Sequence, residues 1–192
     1  MSKRIIIASI LGGLAMFVWS SIAHTVLPLG EAGISEIPNE APVLSAMASS
    51  LGQSNGLYMF PGFGLGPDAT HSQKSAAMDQ YEKKLAVNPS GLLIYHPAGR
   101  IPSMHAMLTT EFLTELVQVF IVVFLLSMST VNGFAGRLGF VTIAGVMASI
   151  ATNVPYWNWY GFPTVYTASY MTMQIVGYIC AGAAIAWWMG RR

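Results

Sequence analysis

The amino-acid sequence predicts an all-α membrane protein: a bundle of four transmembrane helices, with a small α+β insertion between the first two. Two observations carry this prediction. Of the 192 residues, 54% are hydrophobic and only 9% are charged, whereas an ordinary soluble domain is about 25% charged. The apolar residues are also concentrated in four stretches that approach the roughly 20 residues needed to cross a bilayer.

The four predicted spans cover residues 5–27, 106–128, 138–154 and 165–189. The first follows a basic start and contains Ser21-Ile22-Ala23, a pattern that a cleavable signal peptide also shows. Because its apolar run continues beyond those residues, we expect an uncleaved anchor. Proline interrupts helices, so the third span is expected to end just before Pro155.

Basic residues predict the orientation, because cytoplasmic loops carry an excess of Lys and Arg. Four crossings put five basic residues on one side: Lys3, Arg4, Arg137, Arg191 and Arg192. We therefore predict that both termini are cytoplasmic and that residues 28–105 are extracytoplasmic. Residues 155–163 (PYWNWYGFP) are predicted to form an outer turn whose aromatic rings lie at the membrane interface.

The insertion differs in composition, since eight of the ten prolines lie in residues 28–105. We divide the chain into a first helix (1–27), this extracytoplasmic domain (28–105) and a three-helix region (106–192). Within the domain we predict helices over 40–51, with Asn39 as N-cap, and 72–87, and a pair of strands over 56–60 and 92–96. Helical spacing predicts two apolar stripes: Val43, Met47 and Leu51 in the first helix, and Met78, Tyr81 and Leu85 in the second.

Small residues recur at four-residue spacing in the spans, which lets helix backbones approach closely. The glycines of these rows are Gly12, Gly13, Gly145, Gly177 and Gly182. Packing within the bundle is the favoured interpretation, and docking to a foreign subunit is the alternative.

Glu111 and Glu115 are the most informative polar residues, because they lie one helical turn apart within the second span, with Gln118 on the same face. Ionisable groups inside a span are costly and often functional. They predict a proton relay or a cation site, which Asn153 of the third span could complete. The alternative is that both carboxyl groups lie shallow enough to meet headgroups or water.

His24 and His105 flank the first two spans on the outer side and are candidate ligands for zinc, iron, manganese or a pigment metal. Interfacial hydrogen bonding is the simpler interpretation, because the sequence has no HExxH, Glu-x-x-His or CxxCH motif. The single cysteine, Cys180, excludes an internal disulfide. No catalytic set is recognisable.

Four segments, VLPLGEAGI, GLYMFPG, PSGLLIYHPAG and YWNWYGFPT, resemble a group of bacterial four-helix inner-membrane proteins with no assigned activity. The resemblance covers most of the chain and the order of its spans. It implies a bacterial inner-membrane origin, and it assigns no site residues.

The function predicted from the sequence is that of a non-catalytic accessory subunit in a larger membrane complex, respiratory or photosynthetic. Such a subunit would dock through its transmembrane faces and its extracytoplasmic domain. One alternative is a small transporter or proton- or ion-handling protein that uses Glu111 and Glu115. Another is a membrane enzyme with a metal at the outer face. The expected partners are the lipid bilayer, bound lipid and other membrane subunits. No cofactor is required by the sequence, and no basic stripe for nucleic acid is present.

Overall fold

A computed structural model describes residues 3–191, so Arg192 of the predicted basic set lies outside the described residues. Within this range the chain forms helices and strands in the order α1 (Lys3–Thr25), α2 (Glu40–Leu51), β1 (Gly56–Phe60), α3 (His71–Ala76), α4 (Met78–Val87), β2 (Gly91–Tyr95), α5 (Met104–Ser127), α6 (Gly133–Tyr160) and α7 (Thr164–Gly190). They divide into two compact units. One joins the chain up to Ser35 to the chain from Pro102 onward, and the other is residues 36–101.

The first unit contains α1, α5, α6 and α7, each of which is long and apolar enough to cross a membrane. The prediction of four long apolar helices is confirmed. Helix α7 packs against both α1 and α6, and α1 also packs against α5, whereas α5 and α6 touch only slightly. Arg4 donates hydrogen bonds to the carbonyls of Met189, at 2.8 Å, and Arg191. The start of α1 and the end of α7 therefore lie at the same end of the bundle.

Glycines lie where these helices meet. A Cβ atom added at Gly145 of α6 would collide with the side chain of Tyr178 in α7. The other four predicted packing glycines also face neighbouring helices: an added Cβ would lie 2.8 Å from Val119 at Gly12, 2.8 Å from Leu116 at Gly13, 3.4 Å from Met16 at Gly177 and 3.1 Å from Leu138 at Gly182. All five positions are thus occupied by contacts within this one chain.

Helix α6 is longer than the sequence predicted. The prediction ended the third span at residue 154, but the helix continues through Pro155 to Tyr160. A proline inside a helix removes one N–H donor, and long apolar helices tolerate this loss. The predicted outer turn at 155–163 is therefore mostly helical. Gly161 follows as the C-cap of the helix, and its positive φ of 69° suits glycine.

The second unit matches several predictions closely. Helix α2 begins and ends at the predicted residues, and its predicted stripe is less exposed than the rest of the helix. Strands β1 and β2 pair antiparallel, with Leu57 opposite Ile94. The second strand lies one residue earlier than predicted. Phe63 stacks on Tyr81, with 4.2 Å between ring centroids, and Lys84 donates to the Gly62 carbonyl at 3.1 Å.

Two local predictions for this unit are wrong. The helix predicted over 72–87 is divided at Ala77 into α3, which begins with a capping box of Thr70 and Gln73, and α4. Of the predicted stripe in that region, Met78 and Leu85 are exposed, and only Tyr81 is half-buried. Asn39 is the N-cap of α2, as predicted, although its side chain makes no capping bond.

The contact at Gly145 gives a stability prediction. Gly145→Ala should destabilise the protein by about 1–3 kcal/mol, because the new methyl group overpacks against Tyr178. Gly139→Ala in the same helix is the matched control, since nothing lies within 4 Å of its added Cβ. The control should be neutral or stabilising by up to about 1 kcal/mol. Thermal unfolding in detergent, followed by circular dichroism, measures both. Equal midpoints for the two variants would contradict the packing described here.

Candidate functional site

A cavity of about 200 Å³ lies among the four long helices of the first unit. Its polar and aromatic lining includes Trp19, Ser20 and His24 from α1, Glu111, Glu115 and Gln118 from α5, Thr152 and Asn153 from α6, and Tyr170, Gln174 and Tyr178 from α7. The volume is comparable to that of an internal cavity that holds benzene, about 150 Å³. It can therefore hold several waters or one small organic molecule.

Glu115 is the unusual member of this lining, because a carboxyl group is rarely buried without a partner. Only 6% of the residue is exposed. Its Oε2 atom accepts no hydrogen bond from any group in residues 3–191. Glu111, one turn earlier on α5, is exposed. The two acids are thus held in different surroundings, one at the surface and one inside the bundle.

The side-chain amides that line the cavity already have hydrogen-bond partners. The Tyr178 hydroxyl donates to Gln118 Oε1 at 3.1 Å. Asn153 Nδ2 donates to Gln174 Oε1 at 3.2 Å and to the Ser149 carbonyl at 3.0 Å. These bonds join α7 to α5 and to α6 across the cavity. They leave the two amide oxygens with unused lone pairs, since a carbonyl oxygen has two.

Aromatic rings lead from the end of α6 to the cavity. Phe162 lies 5.4 Å from Tyr166, Tyr166 lies 4.4 Å from Tyr170, and Tyr170 lies 6.3 Å from His24, all between ring centroids. His24 is exposed. The backbone at Gly30 lies so close to its ring that any larger residue there would collide with it. The ring of His24 is therefore held at the edge of the cavity.

The two histidines predicted as metal ligands are placed differently. His24 lines the cavity, whereas His105 is exposed and is not among the lining residues. Across residues 3–191, no three His, Cys, Asp or Glu side chains are grouped so that they could hold a metal ion. A metal centre at this site would therefore need ligands of other kinds.

No family model, no curated protein and no solved structure matches the chain.

The oxygen atoms of the side chains that line the cavity can accept hydrogen bonds or contact a cation. The lining residues combine two carboxyl groups with amide oxygens, and no Lys or Arg is among them. A buried carboxylate requires a compensating positive charge, a donor or a proton.

The structure brings together Glu111, Glu115, Gln118 and Asn153, which the sequence had predicted as one polar site. Sequence reasoning missed the contribution of α7. Tyr170, Gln174 and Tyr178 recur at every fourth residue, so they share one face of that helix. This polar stripe in an apolar span was the signal that could have located them.

Proposed function

We propose that this chain is a small transporter or proton- or ion-handling protein of the membrane, with Glu115 as its binding group. One observation carries the proposal: a carboxyl group that is 6% exposed, with an oxygen that lacks a partner in the described structure, lines a cavity of about 200 Å³. Such a group is costly to retain within an apolar bundle unless it binds something. Glu111 and His24, both exposed, provide the polar route from the surface to this group.

The proposal includes a placement in the membrane. The four long helices cross the bilayer, with both termini in the cytoplasm and residues 28–105 in the periplasm of a bacterial cell. The arrangement of basic residues supports this orientation, because Lys3, Arg4 and Arg191 lie at one end of the bundle, where α1 begins and α7 ends. Helix α6, which carries Arg137 in its first turns, begins at that same end, since Leu138 lies against Gly182. Cytoplasmic ends of membrane helices carry such basic residues.

Single-cysteine labelling tests this orientation. In a Cys180→Ala background, Asp79→Cys should react with a membrane-impermeant maleimide on spheroplasts, whose inner membrane is intact. Thr130→Cys, in the loop between α5 and α6, should react only after permeabilisation, because that loop is placed in the cytoplasm. Both positions are exposed, so a difference in labelling reports the side of the membrane and not the accessibility of the residue. The reverse pattern of labelling would contradict the proposed orientation.

Replacement of Glu115 tests the binding group. In liposomes that contain a pH-sensitive dye, wild-type protein should increase the flux of protons or monovalent cations along an imposed gradient. Glu115→Gln should reduce that flux to the rate of protein-free liposomes, because the amide neither carries a proton nor neutralises a cation. Glu31→Gln is the matched control: it makes the same substitution at an exposed carboxyl group that does not line the cavity.

The control variant should retain most of the flux, since an exposed carboxyl group contributes little that water cannot replace. Circular dichroism and gel filtration in detergent establish that each variant is folded. Equal flux for Glu115→Gln and wild type would overturn the proposal. Equal losses in the two variants would also oppose it, because the burial of Glu115 would then have no significance.

A second candidate function is that of an accessory subunit in a larger membrane complex. The observation that favours it is the outward row of Leu113, Val117 and Ile121 on α5, which are 51%, 56% and 51% exposed. Helix α5 packs mainly on α1, so this row is free within the chain. The glycine rows offer less support, because all five predicted glycines pack within the chain itself. A respiratory or photosynthetic partner stays a prediction.

Native electrophoresis separates the two candidates. If the chain is a subunit, it should migrate from its own membrane, in mild detergent, as part of a larger particle with other chains in fixed ratio. Replacing Val117 and Ile121 with alanine should release it, because the substitutions remove apolar area from the exposed row. The same substitutions at Met104 and Leu108, also exposed on α5 but away from this row, serve as the control. A lone particle in every mild detergent would oppose the subunit function.

A further inference from the structure

The size, charge and lining of the cavity indicate the chemical class of its ligand, and this inference rests on the proposed function. Its size is the first constraint. Calcium and similar hard cations are held by six to eight oxygen atoms at about 2.3–2.6 Å, which requires a tight shell of ligands. A cavity of about 200 Å³ is much larger than such a shell. No group of three acidic, His or Cys side chains that could hold a metal is present in residues 3–191.

The charge of the lining is the second constraint. Glu115 and Glu111 contribute two carboxyl groups, and no Lys or Arg is among the lining residues. The unpartnered Oε2 of Glu115 lacks a donor, so the complementary ligand atom carries an N–H or O–H group. Gln118 Oε1 and Gln174 Oε1 each accept one bond from the protein and have a lone pair left. These three oxygens of residues that line one cavity equal in number the three N–H donors of a primary ammonium group.

The remaining wall is aromatic and apolar. Trp19 lies at the cavity, with its indole N–H held by the Met173 carbonyl at 2.9 Å, so the orientation of its ring is fixed. Tyr170 adds a second ring, and Met16 and Met173 add apolar, polarisable surface. Aromatic faces attract organic cations, and tryptophan does so best. An inorganic ion has no carbon atoms that could pack against this apolar surface, whereas the carbon atoms of an organic cation would cover it.

We propose that the cavity binds a small organic ammonium ion: a protonated primary amine attached to one ring or a short apolar chain. Glu115 forms the ion pair with the ammonium group, and Gln118 and Gln174 accept its other N–H bonds. Trp19, Met16 and Met173 contact the carbon atoms. The slight contact between α5 and α6, with Glu111 and Thr152 exposed on them, provides the side on which the amine enters. The amine comes from a free molecule or from an ethanolamine headgroup of a lipid.

Calorimetry with benzylammonium chloride tests the proposal on full-length protein in dodecyl maltoside, a detergent without an ammonium group. Benzylammonium should bind, and benzyl alcohol, which has nearly the same shape and no charge, should bind at least about tenfold more weakly. Glu115→Gln should weaken benzylammonium binding by a similar factor, and Glu111→Gln should do so less. Addition of phosphatidylethanolamine should compete with benzylammonium if the source is a lipid, and should leave its affinity unchanged if the source is a free amine.

Equal affinities for benzylammonium and benzyl alcohol would overturn the inference, and this comparison uses only the wild-type protein. Absence of benzylammonium binding would also overturn it. If the liposome flux still depends on Glu115 in that case, the proposed function stands, and only the ligand class is wrong. If neither flux nor binding responds to Glu115→Gln in a folded protein, both proposals fail.

Discussion

The packing of Tyr178 against its neighbours in α6 and α5 is the interaction on which the rest of the bundle depends. Its ring packs against the backbone of Gly145 in α6, and its hydroxyl donates to Gln118 in α5. One buried side chain of α7, 4% exposed, thus fixes the distance to one neighbour and the orientation of another. In an apolar bundle, close packing and a few hydrogen bonds supply most of the specificity. Tyr178 and Gln118 both line the cavity, together with Glu115.

The same arrangement separates the chemistry of two similar residues. Glu111 and Glu115 differ by one helical turn, yet one is exposed and the other is buried among α1, α5 and α7. Position along the helix, and not residue type, therefore decides which acid can act as a binding group. The amide groups nearby already have partners, so among the charged side chains in residues 3–191 the buried atom without a partner belongs to Glu115. Its surroundings are already held in place by the bonds between α7 and its neighbours.

The four long helices could be predicted from the sequence, because the apolar composition and the length of a segment indicate directly whether it could cross a bilayer. Sequence reasoning placed Glu111, Glu115 and Gln118 on one face because helical spacing on α5 is regular, and it added Asn153 as a polar residue near the outer end of the next span. It failed at Pro155, where the loss of one hydrogen bond is smaller than the stability of the continuing helix. It also overlooked the polar stripe of α7, and the approach of Gln174 and Tyr178 to α5 and α6 depends on tertiary packing as well as on that local pattern. In residues 72–87 it took helical spacing for burial, although Met78 and Leu85 remain exposed.

The contact between Arg4 and Met189 joins positions that are 185 residues apart. Helix α1 precedes α5 in the chain, and its main partner α7 follows both. During synthesis α1 can therefore pack only on α5 until α7 has also been made. The cavity is complete only when α7 joins the other three long helices. A truncated product would carry the acid of α5 without the α7 residues that enclose it, and so would present to the cell's quality control an uncovered charge in an apolar segment.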